Sequence, residues 1–423
     1  MFWRSVAKLL TFHASRDERA LVRARIFDVF LVAVVFPALI TVALLERRRS
    51  REQPRVFWGT VPLINIKYHQ QAIRLYGYDS VSVVDEIYYI APREDFDHTT
   101  WELLEDAPLS RLPEFVRQRL LYYWTFVWAV RRCDIFVFYA SSLIMRHTSL
   151  KYRELWLLRL AGKKIVMLAY GADVQVAHRA RNLLYKHAVA MDYPAFVRGE
   201  SRTLRELEYL SGSADHIVSG VDWVYYMSWW DRLTVGHFAL DTKQWAPPPR
   251  RNRGPEEKVV VFHAPNHREL KGSRFLIKAC EELVAEGVPL ELDLVEGVPN
   301  TVIHERMAAA DIVADQFIIG WYALFSIEAM SMGKPVLCYI RRDMQELYSL
   351  YASGADCPLV NVHPLGIKEV LRELVADPEL REELGRKGRE YAEANHSLEA
   401  VGGMFDSIFR DLGVPPRREE TAA

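Results

Sequence analysis

Two stretches of this sequence order charge, glycine and apolar residues in a way that suits ligand-binding turns. The first, His263-Ala264-Pro265-Asn266-His267-Arg268-Glu269-Leu270-Lys271-Gly272-Ser273, closes an apolar run and opens a helical pattern. Basic side chains at a strand-to-helix turn, beside the free N–H groups of a helix start, suit a diphosphate. A solvated basic loop reads the same way, so Arg268 and Lys271 alone do not decide the matter. The second stretch runs from Asp315-Gln316 through Gly320-Trp321-Tyr322-Ala323-Leu324 to Glu328 and Gly333-Lys334-Pro335. There a loop enters a helix whose second turn carries one carboxylate, Glu328, among Ile327, Ala329 and Met330. A carboxylate in such company is costly to bury without a partner, and the paired hydroxyls of a ribose are a suitable one.

Such turns need rigid elements behind them. At 423 residues the chain exceeds what one core organises, so two α/β domains and an appendage are expected. Short apolar runs at 80–84, 134–139, 164–169 and 216–219 alternate with helical segments, after a first strand at 55–60 and a helix over 64–76. Alternation of this kind predicts a parallel sheet with crossover helices. The Pro- and Arg-rich segment 245–255 cannot continue a helix or a central strand. Beyond it the pattern restarts, with strands at 258–263, 290–295, 311–314 and 335–340 and helices at 273–286, 304–309 and 323–332. The expected division is a membrane-anchoring segment 1–51, a Rossmann-like acceptor-side domain 52–246, a second Rossmann-like domain 247–413 that binds the nucleotide, and a tail 414–423.

The helix Ile327-Glu328-Ala329-Met330-Ser331-Met332-Gly333-Lys334-Pro335-Val336 and the Lys271-Gly272 turn resemble the family-4 glycosyltransferases, retaining enzymes of the GT-B fold. Asp315-Gln316 ahead of Gly320-Trp321-Tyr322 resembles one branch of that family, of the bacterial surface-polysaccharide type. The resemblance runs from residue 55 to about 412. It implies two Rossmann-like domains facing across a cleft. It also implies that Glu328 takes the ribose hydroxyls of a nucleotide-sugar, that Arg268 and Lys271 take the phosphates, and that backbone over 322–324 completes the cradle.

Two departures stand out. The family's first Glu of the Glu-x7-Glu pair falls at Gly320, so its contact with the donor sugar is reassigned to Asp315 or Gln316, or is lost; the usual Arg before the Lys is Asn266. In the first domain Tyr170-Gly171-Ala172-Asp173-Val174 resembles a His-Gly-Ser-Asp-Ile element. Asp173 is therefore a candidate sugar or acceptor contact, with a helix N-cap as its plain alternative. The loop Gly59-Thr60-Val61-Pro62 lies where the family's first loop nears the diphosphate, with Asn65 behind it. Such a transferase needs no enzymic base, because the leaving phosphate takes the acceptor proton, and no metal or other cofactor is implied. Nucleotide-sugar is a substrate.

The run 26–45 is apolar except for Asp28 and Thr41 and is followed by Glu46-Arg47-Arg48-Arg49-Ser50-Arg51. Its length is about that of a bilayer crossing, roughly 20 residues, and Pro37 should kink it. A spanning or re-entrant anchor is expected, placing the protein at the cytoplasmic face of a bacterial inner membrane with a glycan or polyprenyl-linked acceptor. A buried helix of the fold is the alternative. The net charge of −1 provides no field for nucleic acid, and Cys133, Cys280, Cys338 and Cys357 have neither zinc nor redox spacing. A homo-oligomer is left open. An epimerase or phosphorylase would share such a cleft, though an epimerase has no use for an anchor. A non-catalytic sugar-binding or scaffold subunit is the rival reading, on account of Gly320.

Overall fold

The computed structural model describes residues 16–47, 49, 53–87, 91–140, 142–249, 257–354 and 356–416. The first fifteen residues of the expected anchor, Arg48, Ser50, Arg51, the linker residues 250–255 and the tail beyond 416 lie outside the described residues.

Two parallel sheets carry the fold. The first contains β1 (Arg55–Thr60), β2 (Asp79–Val84), β3 (His98–Thr99), β4 (Ile135–Tyr139), β5 (Lys164–Leu168), β6 (His216–Gly220) and β7 (Arg232–Thr234), in the order β3-β2-β1-β4-β5-β6-β7. Its central strands read as continuous apolar runs because both faces are covered; every residue of β4 is buried. The second sheet contains β8 (Val259–His263), β9 (Leu290–Leu294), β10 (Ile312–Ala314), β11 (Val336–Cys338) and β12 (Val360–Asn361), in the order β12-β11-β10-β8-β9.

In each sheet the order reverses once. In the first, β1 has β2 on one side and β4 on the other; in the second, β8 lies between β9 and β10. Crevices beyond the carboxyl ends of strands at such reversals are where open parallel sheets take ligands. The β8 and β10 loops hold both stretches singled out in the sequence. The β1 loop leads into helix α2 (Asn65–Arg74).

The N-terminal apolar run forms helix α1 (Arg16–Glu46), which accommodates Pro37 internally. Among the described residues no helix is long and apolar enough to cross a membrane. One face of α1 is packed on the fold. Leu39 and Ala43 are buried in the first unit's core, against α3 (Glu114–Val130) and α4 (Glu154–Leu160), and the Phe36 and Trp156 rings lie 6.1 Å apart. Sequence shows only that the run is apolar, not that one of its faces is taken. Val34, Leu44 and Leu45 of α1 stay exposed, as do Phe115 and Trp156.

After α9 (Pro378–His396), helix α10 (Leu398–Asp411) returns to the first unit and packs on α2. Phe405 meets Trp58 edge-on at 5.4 Å, and the Tyr78 hydroxyl donates to Asp406 Oδ1 at 3.0 Å. The two crossings between units run side by side: Leu240 N–H donates to His396 O at 2.8 Å, and the His396 ring bonds Phe238 O at 3.0 Å.

Candidate functional site

The loops after β8 and β10 are locked together by polar contacts. Lys271 ends the short helix α6 (Arg268–Lys271), and Gly272, at φ 72°, turns the chain into α7 (Ser273–Ala285). A Cβ on Gly272 would come within 2.9 Å of Ile318, so the close approach of the two loops needs glycine there. Lys271 Nζ donates to Asp315 Oδ1 at 2.6 Å and to Gln316 Oε1 at 2.8 Å. Asp315, whose side chain has no exposed surface, takes a second bond from Ser326 Oγ at 2.6 Å. The Gln316 amide donates to Trp321 O and so closes the loop between them. At the base, His263 bonds Ala314 O and Ser273 Oγ, each at 2.8 Å.

Glu328 lies in α8 (Leu324–Ser331) and is 4% exposed. Burial pushes its carboxyl up to about 8, the Asp315 charge adds to the rise and Lys271 opposes it. Its carboxylate makes no hydrogen bond with a described residue. A buried carboxylate in that state is a candidate binding group, open to a donor of hydrogen bonds. Ala323 and Leu324, at the start of α8, are half-buried; their turn presents first-turn N–H groups of the kind that suit an anion.

The other candidate residues fall elsewhere. Arg268 is exposed and makes a two-pronged pair with Glu296, at 2.9 and 2.6 Å, so it does not converge with Lys271. Asn266 is exposed. Gly320, at φ 93°, leaves the space a Cβ would need to Arg341, whose Cδ would lie 2.5 Å away. The Trp321 indole N–H donates to Val235 O at 2.8 Å across the units, and the Tyr322 hydroxyl bonds Tyr391 at 2.7 Å. Neither ring faces the turn of Lys271. Asp315 and Gln316 hold Lys271 instead of reaching into open space toward the position of the missing carboxylate. Asp173 is exposed in a 3-10 turn, Gly171–Val174, beyond β5.

Gly59 and Thr60 need correcting. Both are buried in the last pairs of β1 rather than in a loop. A Cβ on Gly59 would lie 2.3 Å from Val83 O, and Thr60 Oγ1 donates to Leu143 O at 3.2 Å. The strand fills the whole of the expected 55–60, with β2 paired to it through Thr60 and β4 through Gly59, which leaves neither residue to the loop.

The sequence held no sign of Asn182. From the first unit its amide nitrogen donates to Ile318 O at 2.7 Å and to Ile319 O at 3.0 Å, and its oxygen caps α5 (Leu183–Asp192). It thereby fixes the β10 loop from across the cleft. Asp85, just past β2, pairs with Arg146 at 2.7 Å; burial raises its carboxyl to about 6 against the pull of Arg146. Among the described residues no three His, Cys, Asp or Glu side chains are grouped to hold a metal.

No protein-family model matches the chain. Over 190 residues, 39% of this chain and 49% of the relative, it is 21% identical to an alpha-D-kanosaminyltransferase of Streptomyces kanamyceticus. The match therefore spans about half the length of that curated relative. Among solved structures it is similar to sucrose-phosphate synthase from Thermosynechococcus elongatus, with TM-score 0.57 and 15% identity over 85% of this chain and 99% of that one. The fold is of the GT-B type. Anabaena HepE in complex with UDP-glucose gives TM-score 0.54 and 11% identity over 85% and 100% of the two chains. An alpha-glucosyltransferase in complex with UDP-glucose and DNA containing an abasic site gives 0.51 and 12% over 85% and 99%. In a GT-B frame the loops of Lys271 and Glu328 belong to the second parallel sheet and face the first across the cleft.

Proposed function

We propose that this chain is a glycosyltransferase that moves a sugar from a nucleotide-sugar donor onto a glycan acceptor. The observation that carries the reading is the pairing of a lysine held in place by Asp315 and Gln316 with a buried, unpartnered carboxylate, Glu328, at the order reversal of the second sheet. Lys271 and the first-turn N–H groups of α8 would face the diphosphate, and Glu328 would accept from the ribose hydroxyls. Charge is then stabilised by groups already in position, the term that dominates catalysis of this kind. Two of the similar structures are complexes with UDP-glucose.

The finer parts of the reading are a retaining reaction that uses no metal, a lipid-linked acceptor in cell-surface polysaccharide synthesis, and a place at the cytoplasmic face of a bacterial inner membrane. The resemblance of 327–336 to family-4 transferases supports retention. Exposed Val34, Leu44, Leu45, Phe115 and Trp156 support a surface seat on lipid rather than a crossing.

The test is nucleotide release from UDP-, GDP- and ADP-sugars in the presence of a polyprenyl-linked glycan. Turnover with one donor, lost in Glu328→Gln, is expected. A folded protein that neither binds nor turns over any of them would overturn the reading in favour of a sugar-binding scaffold.

A further inference from the structure

The first unit also contains a buried polar side chain without a partner. Asn65 opens α2, directly after the β1 loop, at the order reversal of the first sheet. It is 0% exposed, and neither its amide nitrogen nor its oxygen has a hydrogen-bond partner among the described residues. Such an amide costs free energy unless something meets it. A position inside the apolar core would select against it, yet here it stands at a place where parallel sheets receive ligands.

Its surroundings point the same way. Tyr68, three residues on and so on the same side of α2, is close enough to Glu328 of the second unit for that carboxylate to raise its hydroxyl. The Tyr68 hydroxyl accepts from the Trp245 indole at 3.2 Å, and Trp245 O accepts from Ser331 Oγ at 2.8 Å, one turn beyond Glu328 on α8. Ile64, Lys67 and Tyr68 line a cavity of about 440 Å³, with Asn300 and His304 of the second unit on its other wall. Trp245 therefore ties the first turn of α2, which Asn65 opens, to α8, which carries Glu328.

We infer that Asn65 is a ligand-binding residue supplied by the first unit, whose amide takes hydroxyls of the same sugar nucleotide that Glu328 holds from the second. The inference rests on the transferase reading above. An amide suits the task because it both donates and accepts, as a sugar hydroxyl does. A carboxylate on one wall and an amide on the other would bind the donor only when both units are in place around it.

The experiment is calorimetric titration of the full chain, its Asn65→Ala variant and its Asn65→Leu variant with UDP-glucose, GDP-mannose and ADP-glucose, with thermal unfolding of each. Leu keeps the volume of the side chain and removes both polar atoms. Both variants are expected to bind the preferred sugar nucleotide about tenfold more weakly, with no fall in the Tm of the Leu variant, because no hydrogen bond of the fold is lost. Wild-type affinity in the Leu variant would overturn the inference, whatever happens to Ala, and so would a fall in Tm with binding unchanged. If the wild type binds none of the three, the transferase reading fails and this inference with it. Binding by wild type and Leu alike sinks the inference alone.

Discussion

Two glutamates of this chain are buried to the same degree and perturbed to the same degree, and they are built for opposite ends. Glu154, at the start of α4, is 0% exposed, and burial pushes its carboxyl up to about 8. Its oxygens accept from the backbone N–H groups of Ile144 and Met145, at 2.9 and 2.6 Å. Glu328, pushed to about 8 for the same first reason, has no such donors. Glu154 holds the turn after β4 in shape. Desolvation and pKa do not distinguish a structural carboxylate from a binding one; an account of hydrogen-bond partners does.

The largest effect that could break this comparison is in stability. Glu154→Ala strands two backbone N–H groups, so urea denaturation is expected to show a loss of about 2–6 kcal/mol, one to three for each. Glu328→Ala, with no bond to lose, is expected to change stability by no more than about 1 kcal/mol. Equal losses would erase the distinction. Next comes Lys271→Met, which leaves Asp315 buried without its cation and should cost about 3–5 kcal/mol. Adding Asp315→Asn should recover most of it in the same denaturation assay, and failure to recover would mean that the pair is not the reason.

In donor affinity the order reverses. Glu328→Ala is expected to lose about 1.5–3 kcal/mol, the worth of a hydrogen bond to a charged group, when sugar nucleotide is titrated in. The milder Glu154→Gln, if it folds, should bind as wild type does. The most gradual effect is in pH. Both carboxyls rise from an ordinary 4.5 to about 8 in the folded state, so between those values the native protein keeps protons that the unfolded chain has released. Stability must fall as pH rises through that window, by at most about 1.4 kcal/mol per pH unit for each group. Glu328→Gln should flatten the slope. Bound sugar nucleotide should also flatten it, since hydroxyls donated to Glu328 favour its charged form, while the share due to Glu154 persists. A ligand that left the slope untouched would place Glu328 outside the binding site.

Local elements were legible wherever apolar runs end in sharp signals. The strand expected at 258–263 is Val259–His263, and the helix expected at 273–286 is Ser273–Ala285, bounded by Gly272 and Gly287. Relations across distance were not. Lys271 and Asp315 are 44 residues apart, and no local pattern says that one holds the other. Arg268 read as a phosphate ligand because its match, Glu296, lies in another loop. The burial of Leu39 and Ala43 of α1 was not legible either, because sequence records hydrophobicity but not which face the fold covers. Gly59 and Thr60 fit the strand expected at 55–60 and not the loop that the family resemblance implied, because the last pairs of a strand depend on its neighbours.

The return of the final helix gives the cleft a mechanical character. The chain crosses between units at Leu240 and again at His396, and the crossings are bonded edge to edge, so the two units are joined along one line, like the leaves of a door. A hinge motion about that line would leave the bond between the crossings intact, whereas a twist across it would have to pull Leu240 from His396.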